Sequence, residues 1–460
     1  MLFRSTRGYL PETNLRRAAL EGLAPDGGLY LPKAWPQFLA EDIAALRGKS
    51  YQDIAFHILQ PFLRDVVLAI DLREIIQKSY AVFDAADVTP LREMGKNSVL
   101  ELFHGPTLAF KDVALQFVGH MFDYFMRDSG NRKVVIGATS GDTGSAAIEA
   151  LANRENIDVF ILYPAEGPSD IQRKQMTCVD AANVHVLAIE GTFDDCQGIV
   201  KALFADERIR KTWNPTTVNS INILRVLAQI VYYFAAALKV EGKPSFVVPT
   251  GNFGDVFAGY AAMKCGLPVE KLVVASNSNN ILTRFFATGH MTPEPVCKTL
   301  SPSMDIQISS NFERLLFDLC DSDAAQVRAM MDDLKTKGDF SVSPRQLELV
   351  RKVFAAGSAN DEETLETIAE AYKKYGYVLD PHTAVAVSVA KRLKPRLLKP
   401  VVFLATAHPA KFPETIKQAL GFAPPLPPCI AALIGKPERL TRLPANVQKV
   451  KTFIEERKKR

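Results

Sequence analysis

No stretch of this sequence approaches the roughly 18 uninterrupted apolar residues that a membrane-spanning helix needs, and Met1-Leu2-Phe3-Arg4-Ser5 opens the chain without an apolar signal core. An excess of one charge is also missing: 55 Lys and Arg against 51 Asp and Glu leave a net +4 over 460 residues. So small a balance, with its charges interspersed, argues against nucleic acid as the main partner. Cysteine is sparse and scattered at positions 178, 196, 265, 297, 320 and 429, with no CxxC or other metal spacing. These read as free thiols of a reducing compartment, so a cytoplasmic protein is expected. The seven histidines are equally dispersed, and no metal site is expected. The one local charge run, Glu455-Glu456-Arg457-Lys458-Lys459-Arg460, reads as a solvated end. What the exclusions leave is a globular chain, 47% hydrophobic, long enough for two or three domains.

From about residue 98, β-branched runs alternate with helical patterns: Val134 to Ile136, Val159 to Leu162, Val184 to Ile189, Phe246 to Val248, Leu272 to Ala275 and Val401 to Leu404. Such alternation implies an α/β protein with parallel or mixed sheets flanked by helices. Before it, helical periodicity over Tyr51 to Leu63 and Leu72 to Ser79 predicts a mostly helical amino-terminal domain over 1–88. A large α/β domain is expected over 89–134 and 215–425, with a smaller mobile lobe over 135–214. Pro424, Pro425, Pro427 and Pro428 break the chain before a carboxy-terminal tail, 426–460, helical from about Ala445.

Three segments carry the chemistry. In His104-Gly105-Pro106-Thr107-Leu108-Ala109-Phe110-Lys111-Asp112 a lysine sits where a turn meets a helix, whose buried stripe shows in Val113, Phe117, Met121 and Phe125. Apolar surroundings strip hydration from an ammonium and favour the neutral amine, which condenses with aldehydes. A solvated helix-start lysine is the plainer alternative. In Val247-Val248-Pro249-Thr250-Gly251-Asn252-Phe253-Gly254-Asp255 a strand ends in a two-glycine turn before a helix, so free amides and the helix dipole face one spot that suits a phosphate. The spacing matches neither a nucleotide-triphosphate loop nor a dinucleotide fold. In Ala138-Thr139-Ser140-Gly141-Asp142-Thr143-Gly144 a strand again enters a small-residue loop and a helix, offering hydroxyls and amides to a carboxylate; taken alone it is also an ordinary helix cap. His104 and His408 lie inside such segments and are candidates for either a functional or a structural role.

Taken together, HGPTLAFKD, ATSGDTGSAA and PTGNFGDVFAGY resemble, in order and separation, the corresponding segments of threonine synthase, a fold-type-II pyridoxal-phosphate enzyme related in fold to the tryptophan synthase β chain. The likeness runs from about Ser5 to Phe412 and includes Ser5-Thr6-Arg7-Gly8, Pro25-Asp26-Gly27-Gly28-Leu29-Tyr30, Asn219-Ser220-Ile221-Asn222, Pro302-Ser303-Met304-Asp305, Ser309-Ser310-Asn311-Phe312-Glu313 and Thr406-Ala407-His408-Pro409-Ala410-Lys411-Phe412. The resemblance implies that Lys111 bonds the pyridoxal 5'-phosphate and moves substrate protons. Gly251, Asn252, Phe253, Gly254 and Asp255 would clamp the cofactor phosphate, and Thr406 would face the pyridine nitrogen. Thr139, Ser140, Gly141, Asp142 and Thr143 would grip the substrate carboxylate.

The implied reaction turns O-phospho-L-homoserine and water into L-threonine and phosphate. Its doubly anionic substrate needs a second anion pocket, for which Arg173, Lys174, Arg225 and Arg284 are the candidates. Two alternatives stand beside it: a phospholyase or hydroxy-amino-acid dehydratase on the same scaffold, and a non-catalytic sensor of pyridoxal phosphate or phosphorylated metabolites. A monomer or homodimer is expected, with neither nucleic acid nor membrane as partner.

Overall fold

The β-branched runs pair in parallel because a helix lies between most successive strands and returns the chain to the same edge. In the computed structural model, which describes residues 1–127, 132–393, 397 and 399–458, they form two separate sheets. The larger runs, in spatial order, Phe354–Ser358, Lys271–Ser276, Ser245–Pro249, Val401–Ala405, Asn97–Glu101 and Leu91–Met94; only the last pairing is antiparallel. The smaller runs Thr441–Pro444, Val184–Glu190, Ile157–Pro164, Lys133–Ala138 and Pro215–Thr216, all parallel. Central strands such as Ile157–Pro164 and Val401–Ala405 are buried at every position, as strands covered by helices on both faces must be.

Several expected boundaries shift. Lys133 and Val134, expected in the large domain, belong to the smaller sheet, as do Pro215 and Thr216. The expected tail is no appendage: Thr441–Pro444 adds an edge strand to the smaller sheet, and Val450, Phe453 and Ile454 of the Val447–Arg457 helix join that lobe's core. The prolines did not signal this, because a four-residue edge strand leaves almost no periodic pattern. The amino-terminal region holds its two expected helices, Tyr51–Leu63 and Ala69–Tyr80. It also holds a three-stranded antiparallel sheet of Thr13–Asn14, Leu2–Ser5 and Tyr30–Pro32.

The Ile223–Ala237 helix explains why these parts do not float apart. All fifteen of its residues are buried, the signature of a helix enclosed on every side. It packs against Tyr51–Leu63, Lys111–Met126 and Gly254–Lys264, so the amino-terminal region shares one core with the large domain. Two family-like segments some three hundred positions apart also meet: Thr6 Oγ1 and Arg7 Nη2 donate to the Glu313 carboxylate at 2.5 and 2.8 Å. Asn222 caps the central helix through Leu224 N and donates to the Ala19 carbonyl.

Lys111–Met126 and Asp142–Leu151 approach so closely that a Cβ at Gly119 falls 2.4 Å from the Ala150 carbonyl oxygen. Gly119→Ala should therefore lower stability by about 1–3 kcal/mol through overpacking, although alanine is the better helix former. A denaturant midpoint equal to or above the parent's would contradict this close approach.

Candidate active site

Four of the segments singled out above leave the carboxyl ends of strands, where open α/β sheets form their clefts. The Lys111 loop follows Asn97–Glu101, the two-glycine loop follows Ser245–Pro249, the Thr406 segment follows Val401–Ala405, and the Thr139 loop follows Lys133–Ala138. Because Asn97–Glu101 and Val401–Ala405 are neighbours, their loops are laced together. Phe110 N donates to the Thr406 carbonyl at 2.9 Å and His408 N to that of Leu108 at 3.1 Å. Thr107 N and Oγ1 donate to the Asp112 carboxylate at 2.8 and 2.7 Å, closing the turn that delivers Lys111 to the first position of its helix.

Lys111 is 7% exposed, and its Nζ lies 3.1 Å from Asp142 Oδ2. The other oxygen, Oδ1, is 3.0 Å from the Nζ of Lys411, which is fully buried and also donates to the Thr107 carbonyl. Gln172 Nε2 donates to the same Oδ1 at 2.9 Å, and Ser303 Oγ reaches Oδ2 at 3.4 Å. Burial pushes the Asp142 carboxyl up, but Lys111, Lys411 and Gln172 outweigh it and hold the group well below the carboxylate range. Burial pulls the Lys111 ammonium down, Asp142 opposes it, and the like charges of Lys411 and Arg225 reinforce it. The amine is thus tilted toward its neutral, nucleophilic form.

The structure puts Asp142 to a use the sequence reading did not anticipate. Expected among the residues that grip a substrate carboxylate, its side chain is a buried anion committed to two lysines, so only its main-chain N–H is suited to another anion. Thr139 Oγ1 likewise works inside the loop, accepting from Gly141 N and Gly144 N at 3.0 and 2.8 Å. Gly141 has φ of +147°, and a Cβ there would strike the Gln172 side chain at 2.7 Å. Ser140 is exposed and Thr143 half-buried at the mouth of this loop.

Around Gly251 the backbone forms a cradle. Its Cβ would stand 2.9 Å from the Ser303 carbonyl oxygen, Ser309 Oγ donates to the Gly251 carbonyl at 2.6 Å, and Asn311 N and Nδ2 both donate to that of Asn252 at 3.1 Å. Phe253 takes φ of +64° and turns the chain into the Gly254–Lys264 helix, whose first amides have no intrahelical acceptor. Asp255 faces elsewhere: its Oδ1 accepts from the hydroxyls of Tyr232 and Tyr233 at 2.5 and 2.9 Å, and Oδ2 is buried without a partner. Burial raises its pKa to about 6, against the two tyrosines and Lys111.

The four candidate cations separate clearly. Arg173 is engaged by Glu438 and Asp170, Lys174 lies in the field of the same Glu438, and Arg284 is paired with Glu294 and Asn280. Arg225 is 3% exposed, donates one N–H to the Val218 carbonyl and leaves its Nε unpartnered; no carboxylate pairs with it among the described residues. Burial pulls its pKa down to about 10. A buried guanidinium with an orphaned donor suits an anionic ligand such as a phosphorylated substrate. His104 is instead engaged structurally, bonding Asp84 and Glu101 at 2.7 and 2.9 Å; these partners raise its pKa against burial. His408 accepts from Ala410 N. Among the described residues no cluster of His, Cys, Asp or Glu could hold a metal, and no helix is long and apolar enough to cross a membrane.

Sequence reasoning overlooked Lys411 and Ser303, which it quoted in motifs without a role, and Gln172 and His382. His382 Nδ1 bonds Asp380, and its Nε2 accepts from Ser303 N at 3.2 Å, holding the segment that covers Gly251. Their signal was weak because a lone lysine or histidine in sequence is indistinguishable from a surface or core residue.

Comparison with known proteins shows the family. Residues 2–80 match the threonine synthase N terminus, 87–333 the pyridoxal-phosphate dependent enzymes, and 383–454 the threonine synthase C-terminal family. A threonine synthase of Pseudomonas aeruginosa is 48% identical, covering 99% of this chain and 98% of its own. The structure of pyridoxal-phosphate-bound threonine synthase from Brucella melitensis is 47% identical and superposes with a TM-score of 0.96 over the whole of both chains. That of the yeast enzyme is 41% identical with a TM-score of 0.93, covering 99% of this chain and 98% of its own. The chain belongs to the threonine synthase family and is a pyridoxal-phosphate-dependent enzyme of fold type II.

Proposed function

We propose that this enzyme converts O-phospho-L-homoserine and water into L-threonine and phosphate, with Lys111 as its cofactor-bonding and proton-moving residue. The observation that carries the reading is the buried Lys111 amine, held against Asp142 in a site with two further buried cations, Lys411 and Arg225. Pyridoxal phosphate, when bound, supplies an electron sink for the amino-acid carbons. Its phosphate would rest on the amides of Gly251, Asn252, Phe253 and Gly254. Asp255 supports that loop from behind through Tyr232 and Tyr233, and the Thr406 hydroxyl would face the ring nitrogen.

The remaining work falls to the chain itself. The loop of Thr139, Ser140, Gly141, Asp142 and Thr143 offers the substrate carboxylate main-chain N–H groups and hydroxyls at a helix start. Lys111 Nζ takes the proton from Cα and, once relieved of it, one from Cβ of the substrate; phosphate leaves Cγ, a proton is delivered to Cγ to make the methyl group, water adds its hydroxyl at Cβ, a proton returns to Cα, and the second proton of the water goes to the released phosphate. Of the four candidate cations, Arg225 is the one assigned to the substrate phosphate, since a buried, carboxylate-free guanidinium gains most from a dianion. The assignment extends to a cytoplasmic enzyme acting as monomer or homodimer, in keeping with six unpaired cysteines.

The direct test is product analysis: O-phospho-L-homoserine should yield phosphate and threonine in equal amounts, whereas 2-oxobutyrate in place of threonine would make the enzyme a phospholyase. Lys111→Ala should eliminate turnover and the visible band of lysine-bound cofactor; turnover at the parent rate would refute the role of Lys111. Arg225→Met should raise KM for the phosphorylated substrate by about 10- to 100-fold, the worth of a charge-assisted contact. An unchanged KM at full cofactor loading would remove Arg225 from the substrate pocket.

A further inference from the structure

Asp142 is shared. Its two oxygens face two different lysines at nearly equal distance, 3.1 Å to Lys111 and 3.0 Å to Lys411, and the three side chains are buried together. Asp142 comes from the smaller lobe, Lys111 from the loop after Asn97–Glu101, and Lys411 from the turn after Val401–Ala405. Lys411 is held in place independently, by donation to the Thr107 carbonyl, which also accepts from Gln175 Nε2. Its ammonium therefore stays beside Asp142 whatever becomes of Lys111. Nothing in the proposed reaction uses Lys411, yet a fully buried lysine is retained only where it is paired.

We propose that Lys411 is a positioning residue for Lys111: by holding one oxygen of Asp142 it takes half of that carboxylate's charge, so that Asp142 orients the Lys111 amine without fixing it as an ammonium. The inference rests on the reading of Lys111 as the cofactor-bonding lysine. Without Lys411 the whole Asp142 charge falls on Lys111, and the direct repulsion between the two ammonium groups is lost as well. Both changes favour the charged form, so the amine becomes reactive only at higher pH. The groups facing Lys111 are Asp142, Lys411, Arg225 and Asp255; His382 faces Asp142, and Asp112 faces Lys411. Of these only Lys411 is bonded to the carboxylate that Lys111 itself touches while lying outside the loops assigned to substrate and cofactor.

The test measures, in the full-length protein stripped of cofactor, the pH midpoint for capture of added pyridoxal phosphate, read from the visible band, with thermal unfolding as the control for folding. Lys411→Met should move the midpoint upward by about one pH unit, tenfold in capture rate at a fixed pH below it. Lys411→Arg, which keeps the charge, should remain near the parent, and the Lys411→Met, Asp142→Asn double variant should return to the parent midpoint or below. Should Lys411→Met fail to fold, Lys411→Gln removes the charge, keeps a donor for the Thr107 carbonyl and carries the same expectation. An unmoved midpoint in a folded, uncharged Lys411 variant overturns the proposal, as does a double variant whose midpoint stays as high as the single's. Persistence of the band in Lys111→Ala would instead overturn the reading of Lys111, which keeps the two failures distinct.

Discussion

A carboxylate out of reach of water, gripped by two lysines, is the constraint on which the rest of the site depends. Lys111, Lys411 and Gln172 together keep Asp142 ionised despite its burial, and removing one partner from such a buried pair typically costs about 3–5 kcal/mol, because it strands a charge. The cluster also spans the cleft, since Asp142 and Gln172 belong to the smaller lobe while Lys111, Lys411 and Ser303 belong to the larger. One set of contacts thus links elements of both sheets and sets the direction of the lysine amine. Lys111 and Asp142 are the first residues of Lys111–Met126 and Asp142–Leu151, helices that also approach closely further along, at Gly119 and Ala150.

The surroundings set the character of that amine. Two buried cations, Lys411 and Arg225, and the Lys111 amine surround one ionised carboxylate, Asp142, and a second, Asp255, whose ionisation is weakened by burial. The site therefore carries surplus positive charge in a medium that screens it poorly. Anions relieve that surplus, which suits both a cofactor phosphate and a phosphorylated amino acid. The loops meet at the carboxyl ends of strands from two sheets, and that convergence brings residues as far apart in sequence as Lys111 and Lys411 to one carboxylate.

How much of this could be read beforehand depended on the kind of signal. Long buried strands and the helices Tyr51–Leu63 and Lys111–Met126 were legible because period and composition persist over several residues. Thr441–Pro444 and Pro215–Thr216 were not, since two to four residues carry no period and their pairing is decided by tertiary contacts. Within the site, loops that expose backbone at a helix start announce themselves through glycine and small residues, so Gly251 to Asp255 and Thr139 to Thr143 stood out. What could not be read was direction. Whether Asp142 turns toward an incoming carboxylate or toward two lysines, and whether Asp255 faces the cradle or two tyrosines, is settled by partners distant in the chain. For the same reason four cations looked alike until burial and pairing distinguished Arg225 from Arg173, Lys174 and Arg284.

The central claim, that the enzyme is organised around one reactive lysine held by a shared aspartate, is tested most directly by reducing the cofactor-loaded protein with borohydride and locating the added mass by peptide mapping. The account predicts one cofactor per chain, carried on Lys111, with Lys411 unmodified. Label on Lys411, or on any lysine other than Lys111, would contradict it.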